Sequence, residues 1–92
     1  MRIRYQTFAR FVEYFGKEGE IEGDSPLSIL SAVSTLAGSD ESKRKILFQE
    51  SGEILKYVII LKNKERILNE KIGETFLDEG DELTIYPPVS GG

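Results

Sequence analysis

Gly80-Asp81-Glu82-Leu83-Thr84-Ile85-Tyr86-Pro87-Pro88-Val89-Ser90-Gly91-Gly92 is a strand that runs into two prolines and then into two glycines. Leu83, Thr84, Ile85 and Tyr86 carry the aliphatic, β-branched and aromatic side chains that fit a pleated, half-buried surface. Pro87 and Pro88 have no N–H to give to a ladder, so regular pairing is expected to stop there, and both favour an extended backbone. Val89 to Gly92 has no helix or strand of its own, and Gly91 and Gly92 add neither bulk nor order. Two readings fit this ending. One is a frayed terminus. In the other the terminal carboxylate of Gly92 is the reactive group: to enter a closed site on another protein it needs a thin, extendable leader, and Gly-Gly is the thinnest. Pro87-Pro88 would then hold the base of that leader away from the domain. The run of strand, Pro-Pro and Gly-Gly is far more specific than Gly-Gly alone.

The rest of the composition narrows the chemistry. Ninety-two residues suffice for one small domain around one modest core. Charged residues are 30% and hydrophobic residues 39% of the chain, too apolar for a disordered segment. The net charge is −4 with no long run of Lys or Arg, which disfavours nucleic acid and anionic membrane surfaces. A partner with a basic docking face is the better electrostatic match. The chain has no cysteine and no histidine, which removes thiolate nucleophiles, disulfides, iron–sulfur ligation and Cys/His zinc sites together. It also removes the side chain most used for proton transfer near neutral pH. An enzyme would have to build its site from Asp, Glu, Lys and Tyr alone, and no metal site is expected. Met1-Arg2-Ile3-Arg4-Tyr5 lacks the apolar core of a signal peptide and no stretch approaches membrane-spanning length, so a soluble cytoplasmic protein is expected.

Upstream of the ending, Ile3, Tyr5 and Thr7 alternate with Arg2, Arg4 and Gln6 as a strand with one polar face. Phe8, Phe11, Val12 and Phe15 have helix-like spacing before Gly16 and read as a turn or loop that plugs the core. Glu18 to Glu22 is a second strand, with Ile21 inward. Ser25-Pro26 then opens the clearest helix, Ser25 as its cap and Pro26 at its first position. Ile29, Leu30, Val33, Leu36 and Ala37 form its apolar stripe, and Gly38 stops it. Ser39 to Gln49, acidic early and basic late, suits a short second helix, and Lys43-Arg44-Lys45 reads as its solvated face. Tyr57 to Leu61 is the most apolar run and reads as a central strand covered on both faces. Lys62-Asn63-Lys64-Glu65 is a tight turn, with Asn63 tolerant of left-handed geometry. Arg66 to Leu68 is a short return strand, and Phe76-Leu77 anchors a loop. Asp78, Glu79, Asp81 and Glu82 read as a solvated turn rather than an acidic docking site. Strands before and after a crossing helix give an α+β two-layer domain.

Gly80-Asp81-Glu82, the strand behind it and Pro87-Pro88-Val89-Ser90-Gly91-Gly92 resemble the C-terminus of the MoaD/ThiS-type sulfur carriers, most nearly the MoaD-type small subunit of molybdopterin synthase. The element order and the turn at Asn63 match along the rest of the chain, although the 39–54 segment is longer than the family pattern. The resemblance implies a β-grasp (ubiquitin-like) fold: a mixed sheet with one main helix packed on one face and the first and last strands adjacent at its centre. It places this domain over residues 1–92, with 87–92 as an extended C-terminal tail. It also implies a chemistry. A free carboxylate is a poor acyl donor, being negatively charged and without a good leaving group; joining it to AMP solves both problems. In the family an E1-like, MoeB-type adenylyltransferase does this with ATP, and a persulfide sulfur displaces AMP to leave a thiocarboxylate, here on Gly92. The tail, Pro87, Pro88, Val89, Ser90 and Gly91, would bind the partner by entering the active site of a MoaE-type molybdopterin synthase large subunit. The chain would then be no enzyme but a sulfur-carrying co-substrate with no bound cofactor, a monomer when free and a hetero-oligomer with its partner. The same tail suits two alternatives. One is a ubiquitin-like modifier joined to lysines through Gly92; the other is a sulfur carrier for thiazole or tRNA thiolation.

Overall fold

The computed structural model describes residues 1–87. The opening alternation forms β1 (Arg2–Thr7), and β1 pairs antiparallel with β2 (Glu18–Glu22) across a connection that holds the single-turn helix α1 (Phe11–Phe15). The chain continues through β3 (Leu27–Ser28), α2 (Ile29–Ala37) and α3 (Glu41–Leu47) to the hairpin of β4 (Ile59–Lys62) and β5 (Glu65–Ile67). A 3₁₀ helix over Asn69–Glu74, then β6 (Phe76–Leu77), leads into β7 (Glu82–Tyr86). Five strands make one mixed sheet in the order β2-β1-β7-β4-β5. Only β1 and β7 are parallel, from Arg4 beside Glu82 to Thr7 beside Ile85. The first and last strands are thus neighbours, with β7 in the middle, as the β-grasp expectation requires.

One face of this sheet is covered. Ile3, Ile21, Ile60, Leu83 and Ile85 point to the same side as Ile29, Ala32, Val33 and Ala37 of α2, and together they form the centre of one buried cluster. Phe11 and Phe15 plug it from α1, their rings edge to face at 5.9 Å. The 39–54 segment closes another end. Asp40 caps α3, its Oδ1 accepting from the Ser42 N–H at 2.8 Å and the Lys43 N–H at 3.3 Å, and a small bridge between Phe48 and Ile54 then buries both residues beside Leu47. Arg44 serves the same packing: it lies over the Phe48 ring at 4.7 Å and donates to the Gly38 carbonyl at 2.9 Å, where it meets the negative end of α2.

Two expectations need correction. The main helix begins at Ile29, not at Ser25-Pro26, and its cap is Ser28, whose Oγ accepts from the Ser31 N–H at 3.0 Å. The backbone before it is already engaged: Leu27 and Ser28 pair with Leu77 and Phe76, and the Ile29 N–H donates to the Thr75 carbonyl at 2.9 Å. A segment held in a ladder cannot also turn as a helix. The apolar run at 57–61 is likewise not a strand covered on both faces. β4 lies one place off the sheet centre and starts at Ile59; Val58 and Ile60 are fully buried, while Ile59 and Leu61 are half-exposed. Both helices of any length lie on one side, so alternate residues of an all-apolar run face opposite environments. No helix among the described residues is long and apolar enough to cross a membrane.

Candidate functional site

Of the expected tail, Pro88, Val89, Ser90, Gly91 and Gly92 lie outside the described residues, and Pro87 is described and buried. The site can therefore be built from its root, which is the end of β7. Leu83 and Ile85 are fully buried on the helix side of the sheet. The alternate residues Glu82, Thr84 and Tyr86 face the side of the sheet without helices, where Thr84 is buried between its neighbours and Glu82 and Tyr86 are half-buried. The central position of β7 thus fixes the strand from two flanks, with Tyr86 opposite Ile59 of β4 in the last pair before Pro87.

Phe8 departs from its expected place in the core. It is 36% exposed, and its ring stacks on that of Tyr86 with centroids 4.5 Å apart and planes 10° from parallel. Its spacing to Phe11 and Phe15 suggests a helix face, but the alternation of β1, with Thr7 inward, carries the next side chain outward. That alternation was the signal that could have placed it. Register then lines up Phe8, Tyr86 and Ile59 in one row across the open face, and the alternation of β5 adds Leu68, 55% exposed, at its end. Tyr57, just ahead of β4, is 75% exposed. The end of the open face nearest the tail root is therefore apolar. The far end is charged: Arg2 and Arg4 of β1 stand beside Glu22 and Glu20 of β2, and Arg2 Nε lies 3.2 Å from a Glu22 oxygen at an exposed site, a pair worth little by itself.

The acidic turn ahead of β7 is neither free nor uniformly solvated. Asn63 and Lys64 hold positive φ angles of 50° and 71° at the β4–β5 turn, as a two-residue hairpin requires. This brings the Asn63 amide against Asp81. Asn63 Nδ2 donates to Asp81 Oδ1 at 3.0 Å, the Glu82 N–H donates to Asn63 Oδ1 at 2.9 Å, and the Asp78 N–H donates to Asp81 Oδ2 at 2.7 Å. Lys62 Nζ stands 3.9 Å from the same carboxylate and donates to the Phe76 carbonyl. Burial by itself would raise the Asp81 pKa, but the Asn63 bond, the Asp78 N–H and the Lys62 charge outweigh it and hold the carboxyl below its usual range. Glu79 accepts from the Arg2 N–H at 2.9 Å. This knot pins the start of β7; it is structural. Tyr5 is used likewise: its hydroxyl donates to the Phe15 carbonyl at 2.7 Å, and burial pushes its pKa up.

Among the described residues no three His, Cys, Asp or Glu side chains are grouped to hold a metal, and the Asp81 carboxylate is consumed by the knot. What the geometry does provide is a firmly held central strand, an aromatic root and an apolar face beside it.

The model of the ThiS family matches residues 8–92. Small archaeal modifier protein 3 of Haloferax volcanii is 31% identical over 100 residues, covering 100% of both chains. Small archaeal modifier protein 1 of the same organism is 29% identical over 91 residues, 98% of this chain and 100% of its own, and a crystal structure of it superposes with a TM-score of 0.85 at 27% identity, covering 100% of each chain. The putative molybdopterin converting factor subunit 1 of Pyrococcus furiosus has the same fold, with a TM-score of 0.75 at 23% identity over 97% of this chain and 99% of its own.

Proposed function

This chain belongs to the ThiS family of ubiquitin-like sulfur carriers and modifiers, and from that premise we propose that it is a sulfur carrier whose Gly92 carboxylate is adenylated and converted to a thiocarboxylate. The observation that carries the proposal is the Pro87-Pro88-Val89-Ser90-Gly91-Gly92 ending at the end of the central strand. A Gly92 carboxylate oxygen attacks the α-phosphorus of ATP on an E1-like, MoeB-type enzyme, and pyrophosphate leaves. A persulfide sulfur of the partner then attacks the acyl carbon and AMP leaves; a thiol cleaves the resulting acyl disulfide, so that the carrier keeps one sulfur as a thiocarboxylate. Delivery to a pterin precursor on a MoaE-type large subunit makes this chain the small subunit of molybdopterin synthase, in molybdenum or tungsten cofactor synthesis. The carrier needs no Cys, His or bound cofactor for this, because the acids, bases and ATP belong to its partners.

A second reading shares the first step. The 29–31% identical relatives named as modifiers favour it: a lysine amine of another protein takes the acyl group, forming an isopeptide bond at Gly92. Intact mass after incubation with ATP, an E1-like enzyme and a sulfur source tests the first reading. Exchange of one oxygen for sulfur, mapped to Gly92, is the expected result. An unchanged mass with a competent enzyme overturns it, and lysine-linked conjugates in cells would then establish the modifier.

The apolar end of the open face is where such an enzyme would dock, since a full-length leader from Pro88 to Gly92 spans at most about 17 Å. The adenylating site must therefore open close to the Tyr86 end of the sheet. Replacing Tyr57 and Leu68 together by Ser should raise the KM of adenylation about tenfold, the result of losing roughly 1.4 kcal/mol of interface contact. The maximal rate and Tm should stay near wild type, because both side chains are exposed in the free protein. An unchanged KM would show that docking uses another surface.

A further inference from the structure

The stack of Phe8 on Tyr86 has no part in the core, and the chain is bent unfavourably to make it. Ala9, between Phe8 and the start of α1, holds a φ of 53°, the left-handed region that an L-residue with a Cβ avoids. That turn lets the chain leave Phe8 on the open face and still deliver Phe11, fully buried, to the core. Strain of this kind persists where the surroundings fix it and gathers at functional positions.

The place of the stack is also particular. The β1–β7 pairing ends with Thr7 beside Ile85, and the β4–β7 pairing ends with Ile59 beside Tyr86. Continued by one residue, the first ladder would set Phe8 beside Tyr86. At that level the two aromatic rings stand in for backbone pairing, immediately before two prolines that cannot donate to either neighbour. On the β1 side, the Phe8 ring against Tyr86 continues the hold on the chain one residue past the Thr7–Ile85 pair, next to the buried Pro87.

We infer that Phe8 is a positioning residue for the reactive terminus: it props Tyr86 and thereby aims the segment that carries Gly92. The inference rests on the sulfur-carrier reading above, or equally on the modifier reading, because both begin by adenylating Gly92. A leader aimed wrongly at its root still docks but delivers its carboxylate poorly, so the loss falls on the maximal rate rather than on KM alone.

The test uses the full chain with an E1-like enzyme and ATP, and follows pyrophosphate exchange for wild type, Phe8→Ala, Phe8→Leu and Phe8→Tyr. Phe8→Ala and Phe8→Leu should each lower kcat about tenfold, a loss of the size small misplacements cause. Phe8→Tyr, which keeps a ring to stack, should restore it. The ring-current shift on the Tyr86 protons, lost in the first two variants and kept in the third, reports the stack directly. Phe8→Leu retains apolar bulk and guards against a fold that fails in Phe8→Ala. If kcat stays at the wild-type value while the Tyr86 shift is lost, the inference is overturned; so it is if only KM rises, which would make Phe8 a docking contact. A wild-type chain that is not adenylated at all would instead overturn the parent reading of Gly92.

Discussion

Deleting Gly92 is expected to abolish adenylation while leaving the folded domain as it is. The variant ends on Gly91 and still offers a carboxylate, so the loss would come from position and not from chemistry. One residue of extended chain is about 3.5 Å, whereas the reacting oxygen must come within about that distance of the α-phosphorus in good alignment. A misplacement of about 1 Å can cost two orders of magnitude, so a whole residue should reduce pyrophosphate exchange by at least about a thousandfold. Stability should not follow. Among the described residues the buried cluster runs through Leu83 and Ile85, seven positions before the deleted one. Wild-type Tm together with no measurable exchange is the expected pair of results. Adenylation retained at a wild-type rate would mean that Gly92 is not the acceptor and would remove the basis of both functional readings.

The ending proposed to react is written in local pattern, and the surface beside it is not. Pro87-Pro88 and Gly91-Gly92 are local signals, legible because proline and glycine constrain or free the backbone wherever they stand. The alternation in β1 was legible for the same reason, and it placed Ile3 and Tyr5 on the side that packs in the core, whereas for β7 it gave a strand without saying which face turns inward. What local pattern could not supply was pairing. Ser25-Pro26 has every local mark of a helix start, yet Leu27 and Ser28 are claimed by a strand some fifty residues later in sequence. Tyr57 to Leu61 is apolar throughout, and only the one-sided placement of the helices shows that half of it faces outward. Phe8 belongs to two periodicities at once, and the strand's wins because the pairing of β1 holds as far as Thr7. Asp81 looked like one more solvated acid because its partner, Asn63, is eighteen positions away.

Replacing Asp81 by Ala is expected to be the costly change at the other end of β7, in stability and not in chemistry. Its side chain is only 15% exposed, and its two oxygens accept from the Asn63 amide and the Asp78 N–H. Truncation leaves both donors without that acceptor and loses the Lys62 charge pairing; bonds to a charged group are worth about 1.5–3 kcal/mol, so a loss of about 2–3 kcal/mol is expected. For a domain of this size that lowers Tm by roughly 10–20 °C. The pH dependence carries a definite sign. The Asp81 carboxyl is held below its ordinary value in the folded chain, so its contribution is complete above the unfolded value of about 3.9 and is lost as pH falls through the folded one. The stability gap between wild type and Asp81→Asn should therefore be constant from about pH 5 to 7 and close on further acidification. A gap that widens in acid, or none at neutral pH, would show that the carboxylate does not hold the knot. The contrast with Phe8 then separates two jobs along one strand. Asp81→Ala should melt early yet adenylate normally well below its Tm, because the root at Tyr86 and the leader beyond it are untouched. Phe8→Leu should melt near wild type and adenylate slowly. If Asp81→Ala instead lowered kcat at a temperature where it is fully folded, the start of β7 would be coupled to its end, and positioning would belong to the whole strand rather than to the aromatic stack.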